Sequence, residues 1–155
     1  MEAQIKDIMT KTLIAVPIGS PVAVAANIMK QNKIRHLPIV DEMDVIIGII
    51  SKRDFTLLEN LEDIPVERVM SAPIYYIDQD TPLRSAIFKM LEHKISSLLI
   101  SDENDEAIGI ITSDDLLGYL VQILDKINKE KAPFFSVLDT QTLGEVARQL
   151  SLAGI

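Results

Sequence analysis

Slid against itself by 61 residues, the chain aligns Ile5–Phe55 with Val66–Leu116 without a gap, and sixteen of the 51 pairs are identical. An unrelated alignment of so isoleucine-rich a chain gives roughly three or four identities. The matches include Met9/Met70, Pro21/Pro82, Ala25/Ala86, Met29/Met90 and Asp54/Asp115, and Ile47-Gly48-Ile49-Ile50 recurs whole as Ile108-Gly109-Ile110-Ile111. A chain built this way folds the same unit twice. At about fifty residues each unit buries too little surface to stand alone, so the two are expected to share a core.

The local signals are the same in both copies. Thr12–Val16 and Pro73–Ile77 read as strands. Ser20-Pro21 and Thr81-Pro82 read as a hydroxyl N-cap followed by proline in the first helical position. Helices follow over Val22–Asn32 and Leu83–His93, with Ala25, Ile28, Met29 and Ala86, Ile87, Met90 at helical spacing. Strands at Leu37–Val40 and Leu98–Ile100 lead through the acidic turns Asp41–Asp44 and Asp102–Asp105 into strands at Val45–Ile50 and Ala107–Ile111, a hairpin in each copy. A second helix starts at Ser51 or Thr112. The expected fold is α/β (α+β): two β-α-β-β-α repeats packed about a pseudo-twofold, over residues 1–60 and 61–131. Asp114–Lys131 reads as an apolar helix ending before Ala132-Pro133. The tail, residues 132–155, reads as a docking helix or as a fragment of a third unit.

Composition narrows the function classes. Zero cysteines among 155 residues exclude disulfides, thiolate zinc sites and a cysteine nucleophile. With no cysteine and two histidines, no metal site is expected. Net charge −8 argues against duplex nucleic-acid binding, which needs a basic face. The longest central apolar runs fall far short of the ~20 residues of a membrane span, and the acidic N-terminus is unlike a signal peptide. The expectation is a cytoplasmic, non-membrane protein. Neither His36 nor His93 falls in a motif joining it to a nucleophile and an orienting acid, so no enzyme is expected and no catalytic residue is assigned.

The third strand of each copy ends in Gly48-Ile-Ile-Ser51-Lys52-Arg53-Asp54 or Gly109-Ile-Ile-Thr112-Ser113-Asp114-Asp115. One reading is a capping box, a hydroxyl N-cap with a carboxylate three residues on. The other is a ribose-phosphate site, because a helix start offers free N–H groups and a carboxylate accepts hydrogen bonds from a vicinal diol. Both can hold together.

These endings, with Met9-Thr10 and Met70-Ser71 at the repeat starts and Ile34-Arg35-His36-Leu37-Pro38-Ile39-Val40 in mid-repeat, resemble tandem cystathionine-β-synthase (CBS) domains, a pair known as a Bateman module. The resemblance covers residues 5 to 125. It implies a regulatory module that binds AMP, ADP, ATP or S-adenosylmethionine between the repeats and signals by conformational change, with no catalytic cofactor. The alternative is a structural or partner-docking module with empty clefts. Carried over residue by residue, cleft one takes Thr10, Thr12, Ile14, Ile34, Arg35 and His36 with Thr112 and Asp115. Cleft two takes Ser71, Ile74, Tyr75, Ile95, Ser96 and Ser97 with Ser51, Arg53 and Asp54. The aspartates would hold ribose hydroxyls, the apolar side chains would sandwich adenine, and cations would meet phosphate.

The clefts differ. Asp114 stands where the first repeat has Arg53, so cleft one is expected to disfavour a multiply charged phosphate, while Lys52 and Arg53 favour an AMP-like ligand in cleft two. Apolar faces on Val22–Asn32, Leu83–His93 and Leu116–Ile127 exceed what one small core hides, and a homodimer through them is expected, as is an effector protein of unknown identity.

Overall fold

The computed structural model describes residues 3–131, with side chains through 128. Residues up to Leu116 form one compact unit, and the chain from Leu117 belongs to a second. The first unit contains two three-stranded sheets. One holds β1 (Val16–Pro17), β2 (His36–Val40) and β3 (Ile46–Ser51); the other holds β4 (Tyr76–Asp78), β5 (Ser97–Ser101) and β6 (Ala107–Thr112). In each sheet the first strand pairs parallel to the second and the second antiparallel to the third. The helices are α1 (Val22–Asn32), α2 (Lys52–Phe55), α3 (Leu83–His93) and α4 (Ser113–Lys131).

Helices α1 and α3 have the bounds the apolar periodicity gives, because Ala25 and Met29, or Ala86 and Met90, fall on one face and are buried there. Each ends in a left-handed lysine, Lys33 or Lys94, whose N–H returns to the last turn. The hairpin turns are shaped by their leading aspartates. Asp41 Oδ1 accepts the N–H groups of Met43 and Val45, both at 2.9 Å, and Asp102 Oδ1 those of Asn104 and Glu106, at 2.9 and 3.0 Å. Such Asx turns let Asp44 and Asp105 adopt φ of 59° and 60°.

Two local expectations fail for a shared reason. Ser20 and Thr81 do not cap the helices; Pro21 and Pro82 occupy the N-cap without a side-chain bond. The free N–H groups are satisfied by another segment instead: Val22 donates to Ile64 O and Ala23 to Leu61 O, while Leu83 donates to Ala3 O. The expected strands at Thr12–Val16 and Pro73–Ile77 shrink and shift to β1 and β4. The residues ahead of them are drawn to the opposite sheet. Thr10 exchanges two backbone hydrogen bonds with Ile110 on β6, and Ser71 exchanges two with Ile49 on β3. The short helical turns at the start of each repeat, Ile5–Asp7 and Val66–Arg68, cross over as well, Ile5 N bonding Thr81 O and Val66 N bonding Ser20 O.

Val66 therefore packs into the core of the first repeat with Val16, Val22, Ala25, Met29, Leu37, Ile39, Ile50 and Phe55. A fully buried valine of this kind contributes roughly 1.5–3 kcal/mol. Gly48 and Gly109 sit where the crossing segments press on the sheets: a Cβ at Gly48 would lie 2.3 Å from Met70 Sδ, and one at Gly109 would lie 2.8 Å from the Thr10 carbonyl oxygen. This reciprocal crossing makes the pair one pseudo-twofold body.

Candidate functional site

Crossing of the lead-in segments opens a cleft on each side of the pseudo-twofold. The first, about 400 Å³, is lined by Thr10, Thr12, Ile14, Ile34, Arg35, His36, Thr112 and Asp115. The second, about 410 Å³, is lined by Ser71, Ile74, Tyr75, Ile95, Ser96, Ser97, Ser51, Arg53 and Asp54. Every residue assigned to each cleft from the sequence faces that cleft. Their volumes are in the range of small-ligand sites.

At the back of each cleft stands the start of a helix. Ser51 and Asp54 close a capping box, with Ser51 N–H donating to Asp54 Oδ2 at 2.6 Å. In the other repeat Thr112 donates both its N–H and its hydroxyl to Asp115 Oδ2, each at 2.7 Å. The cap occupies Oδ2 in both, and among the described residues Oδ1 of each aspartate has no hydrogen-bond donor. Capping thus uses one oxygen of each carboxylate and leaves the other open to a further donor.

The polar groups near the pseudo-twofold axis are not equivalent. Arg35 forms an ion pair with Asp114 on the rim of cleft one. Arg53, on the other side, donates to Ser96 Oγ at 3.1 Å, and Ser96 Oγ lies 2.9 Å from His36 Nε2. Burial, then the charges of Arg35 and Arg53, hold the His36 pKa below the usual imidazole value. A small chamber of about 190 Å³ joins these groups, lined by Arg35, His36, Ser51, Lys52, Arg53, Ser96 and Ser113.

Three features escaped the sequence reading. His36 lines both clefts, not cleft one alone. Lys52, expected beside Arg53 in cleft two, turns away from it, into the central chamber and an outer groove against α1. Adjacent helical positions point about 100° apart, which separates these two cations. His93 lies under Tyr75, with ring centroids 4.3 Å apart, and gives the aromatic wall of cleft two a second layer. The one available signal for His93 was its place at the end of α3, one turn before Ser96.

No described helix is long and apolar enough to cross a membrane. The chain is 30% identical over 112 residues to a homoserine O-acetyltransferase of Methanococcoides burtonii, an alignment covering 72% of this chain but 23% of that enzyme. It spans under a quarter of that relative's length. A CBS domain-containing protein of Dictyostelium discoideum is 27% identical over 141 residues, covering 82% of this chain and 97% of that protein. A CBS domain pair solved in complex with 5′-methylthioadenosine and S-adenosyl-L-methionine superposes with a TM-score of 0.71 at 29% identity, covering 79% of this chain and 98% of that one. The CBS domain profile matches residues 5–58 and 66–122, so this chain belongs to the CBS domain family as a tandem pair.

Proposed function

We propose that this chain is a non-catalytic regulatory module that binds an adenosine-containing ligand between its repeats and signals by a change of conformation. The observation that carries this is the composition of each cleft: a helix-start carboxylate from one repeat faces the lead-in segment and middle strand of the other. A ligand seated there touches both repeats, so its binding energy depends on their relative placement, as a conformational signal requires. The capacity of Asp54 and Asp115 to accept from a vicinal diol supports ribose recognition, and Ile14, Ile34, Ile74, Tyr75 and Ile95 supply apolar walls for a base. The adenosine ligands of the similar CBS pair favour the same class here.

The test is a thermal-shift and calorimetry panel of AMP, ADP, ATP, S-adenosylmethionine, methylthioadenosine and NADH, run on the native chain, Asp54→Ala and Asp115→Ala. A ligand at a hundred times its Kd stabilises by about 2.7 kcal/mol. Loss of the shift in one variant assigns the cleft. Absence of any shift across the panel rejects the reading in favour of a docking module with empty clefts. Homodimerisation belongs to the same proposal: α3 exposes Ile87, Phe88 and Leu91, and α4 exposes Leu117, Leu120, Val121 and Leu124. Sedimentation at high concentration that stays strictly monomeric would reject it.

A further inference from the structure

Two arginines meet near the pseudo-twofold axis, and only one of them has an anion. Sixty-one residues on, Arg35, His36 and Arg53 become Ser96, Ser97 and Asp114. The contact between positions 35 and 114 on one side of the axis is repeated between positions 96 and 53 on the other. On the first side it is the ion pair of Arg35 with Asp114. On the second it is Arg53 donating to Ser96 Oγ, a neutral acceptor, and Arg53 has no ion-pair partner among the described residues. Arg53 is exposed and lines cleft two, so it is the cation that an incoming anion can claim.

His36 stands where that exchange is felt. Among the described residues it alone lines cleft one, cleft two and the small central chamber. Its Nε2 lies 2.9 Å from Ser96 Oγ, the same oxygen to which Arg53 donates at 3.1 Å. A hydroxyl has one proton to give and lone pairs to accept with. With the imidazole neutral, Ser96 accepts from Arg53 and gives its proton to Nε2. With the imidazole charged, Nε2–H is itself a donor, and two cations converge on one neutral oxygen. Arg53 on Ser96 therefore opposes a proton on His36. Burial, then Arg35 and Arg53, hold the His36 pKa below the usual imidazole value, while Asp114 and Asp54 act in the opposite sense. Lys33, Lys52 and Lys94 add to the positive side of these cavities and Asp115 to the negative. The other titratable pair of cleft two, Tyr75 and His93, is stacked one ring on the other.

We propose that an anionic group bound in cleft two draws Arg53 off Ser96 and is taken up together with a proton on His36. The anion accepts the N–H groups of the guanidinium, the freed Ser96 oxygen accepts Nε2–H, and the proton comes from solvent. Because His36 also lines cleft one, filling cleft two places a positive charge in the wall of the other cleft. Cleft one has no matching exchange, since its arginine is already paired with Asp114. The ligand class this selects for cleft two is an adenosine compound bearing a phosphate or another anionic group, and the selection rests on the adenosine reading above. Proton and anion favour each other equally, so affinity rises as pH falls.

Calorimetry with adenosine 5′-sulfate, whose single charge does not titrate, tests this in an Asp115→Ala background that leaves cleft two. Titrations in buffers of different ionisation enthalpy count the protons taken up. One proton per ligand changes affinity tenfold per pH unit, so an average uptake of about a quarter of a proton between pH 8 and 6 tightens Kd about threefold. At least that change is expected, while uncharged methylthioadenosine should bind without uptake. His36→Gln should abolish the uptake, and His93→Gln should keep it, whatever it does to affinity. Ser96→Ala should reduce it by at least half, and Ser96→Thr, which retains the hydroxyl, should restore it. Circular dichroism separates loss of uptake from loss of fold. The native chain has only two histidines, so an NMR pH titration reads the same proton without any substitution: saturating sulfate should raise the pKa of His36. Uptake that persists in His36→Gln or Ser96→Ala, a bound sulfate with no uptake, or a cleft that takes methylthioadenosine and refuses the sulfate overturns this coupling and leaves the adenosine reading standing. Binding of neither ligand overturns both.

Discussion

Replacing Asp114 by arginine should convert cleft one from a site that repels phosphate into one that attracts it. The native side chain lies on the rim of that cleft, ion-paired with Arg35 and with 56% of its surface exposed. Its loss costs the fold little, since exposed pairs are worth about 0.2–1 kcal/mol. The effect on ligand is larger. With a phosphate about 6 Å away and an effective dielectric constant of about 60 for so exposed a site, each unit charge contributes about 0.9 kcal/mol. Exchanging −1 for +1 then changes the interaction with a singly charged phosphate by about 1.8 kcal/mol, about twentyfold in Kd. Calorimetry in an Asp54→Ala background confines the reading to cleft one. AMP, whose phosphate carries about −1.5 to −2 at neutral pH, should tighten by at least about twentyfold at low salt and less at high salt, where screening weakens the field. Uncharged methylthioadenosine should be unaffected. An equal change for both ligands, or none for AMP, refutes the electrostatic reasoning.

The two strand glycines should respond differently to alanine. Gly109→Ala drives a methyl into the Thr10 carbonyl, which the crossing pairing holds in place, and should cost about 1–3 kcal/mol by urea denaturation. Gly48→Ala meets the flexible end of Met70, which can turn aside, so its cost should stay within about 1 kcal/mol. His36 should make stability depend on pH. Its pKa is lowered in the folded chain, so the unfolded chain takes up its proton first, and stability is complete above pH 6.5 and falls as pH drops below it. The melting temperature of the native chain should fall between pH 7 and 5.5 more than that of His36→Gln; equal slopes would show that His36 titrates freely.

Much of the candidate site was legible because its parts are local. Ser51 and Asp54, like Thr112 and Asp115, are tied by a three-residue spacing that forms the same box wherever it starts a helix. Arg35 and His36 were assigned to cleft one by the resemblance to the CBS family. Comparison of the two copies marked Asp114 as the residue that breaks their equivalence, and the structure pairs it with Arg35. Ser20 and Thr81 misled for a complementary reason. A hydroxyl ahead of proline is a good cap, but the backbone carbonyls of residues 61, 64 and 3 reach those amides first. That competition comes from residues forty to eighty positions away.

From the sequence alone came the repeat, the bounds of α1 and α3, and the hairpins with their aspartate turns, all of which follow from spacings within one unit or from a comparison of one unit with the other. The residues of both clefts came instead from the resemblance to the CBS family. Tertiary structure decided which sheet each lead-in segment joins. Because Ile47–Ile50 and Ile108–Ile111 are identical, Thr10 and Ser71 meet nearly the same local chemistry on either sheet. The difference lies in packing: crossing buries Val66 in the core of the first repeat and pairs Thr10 with Ile110. The clefts exist because of that crossing, and so does the position of His36 between them.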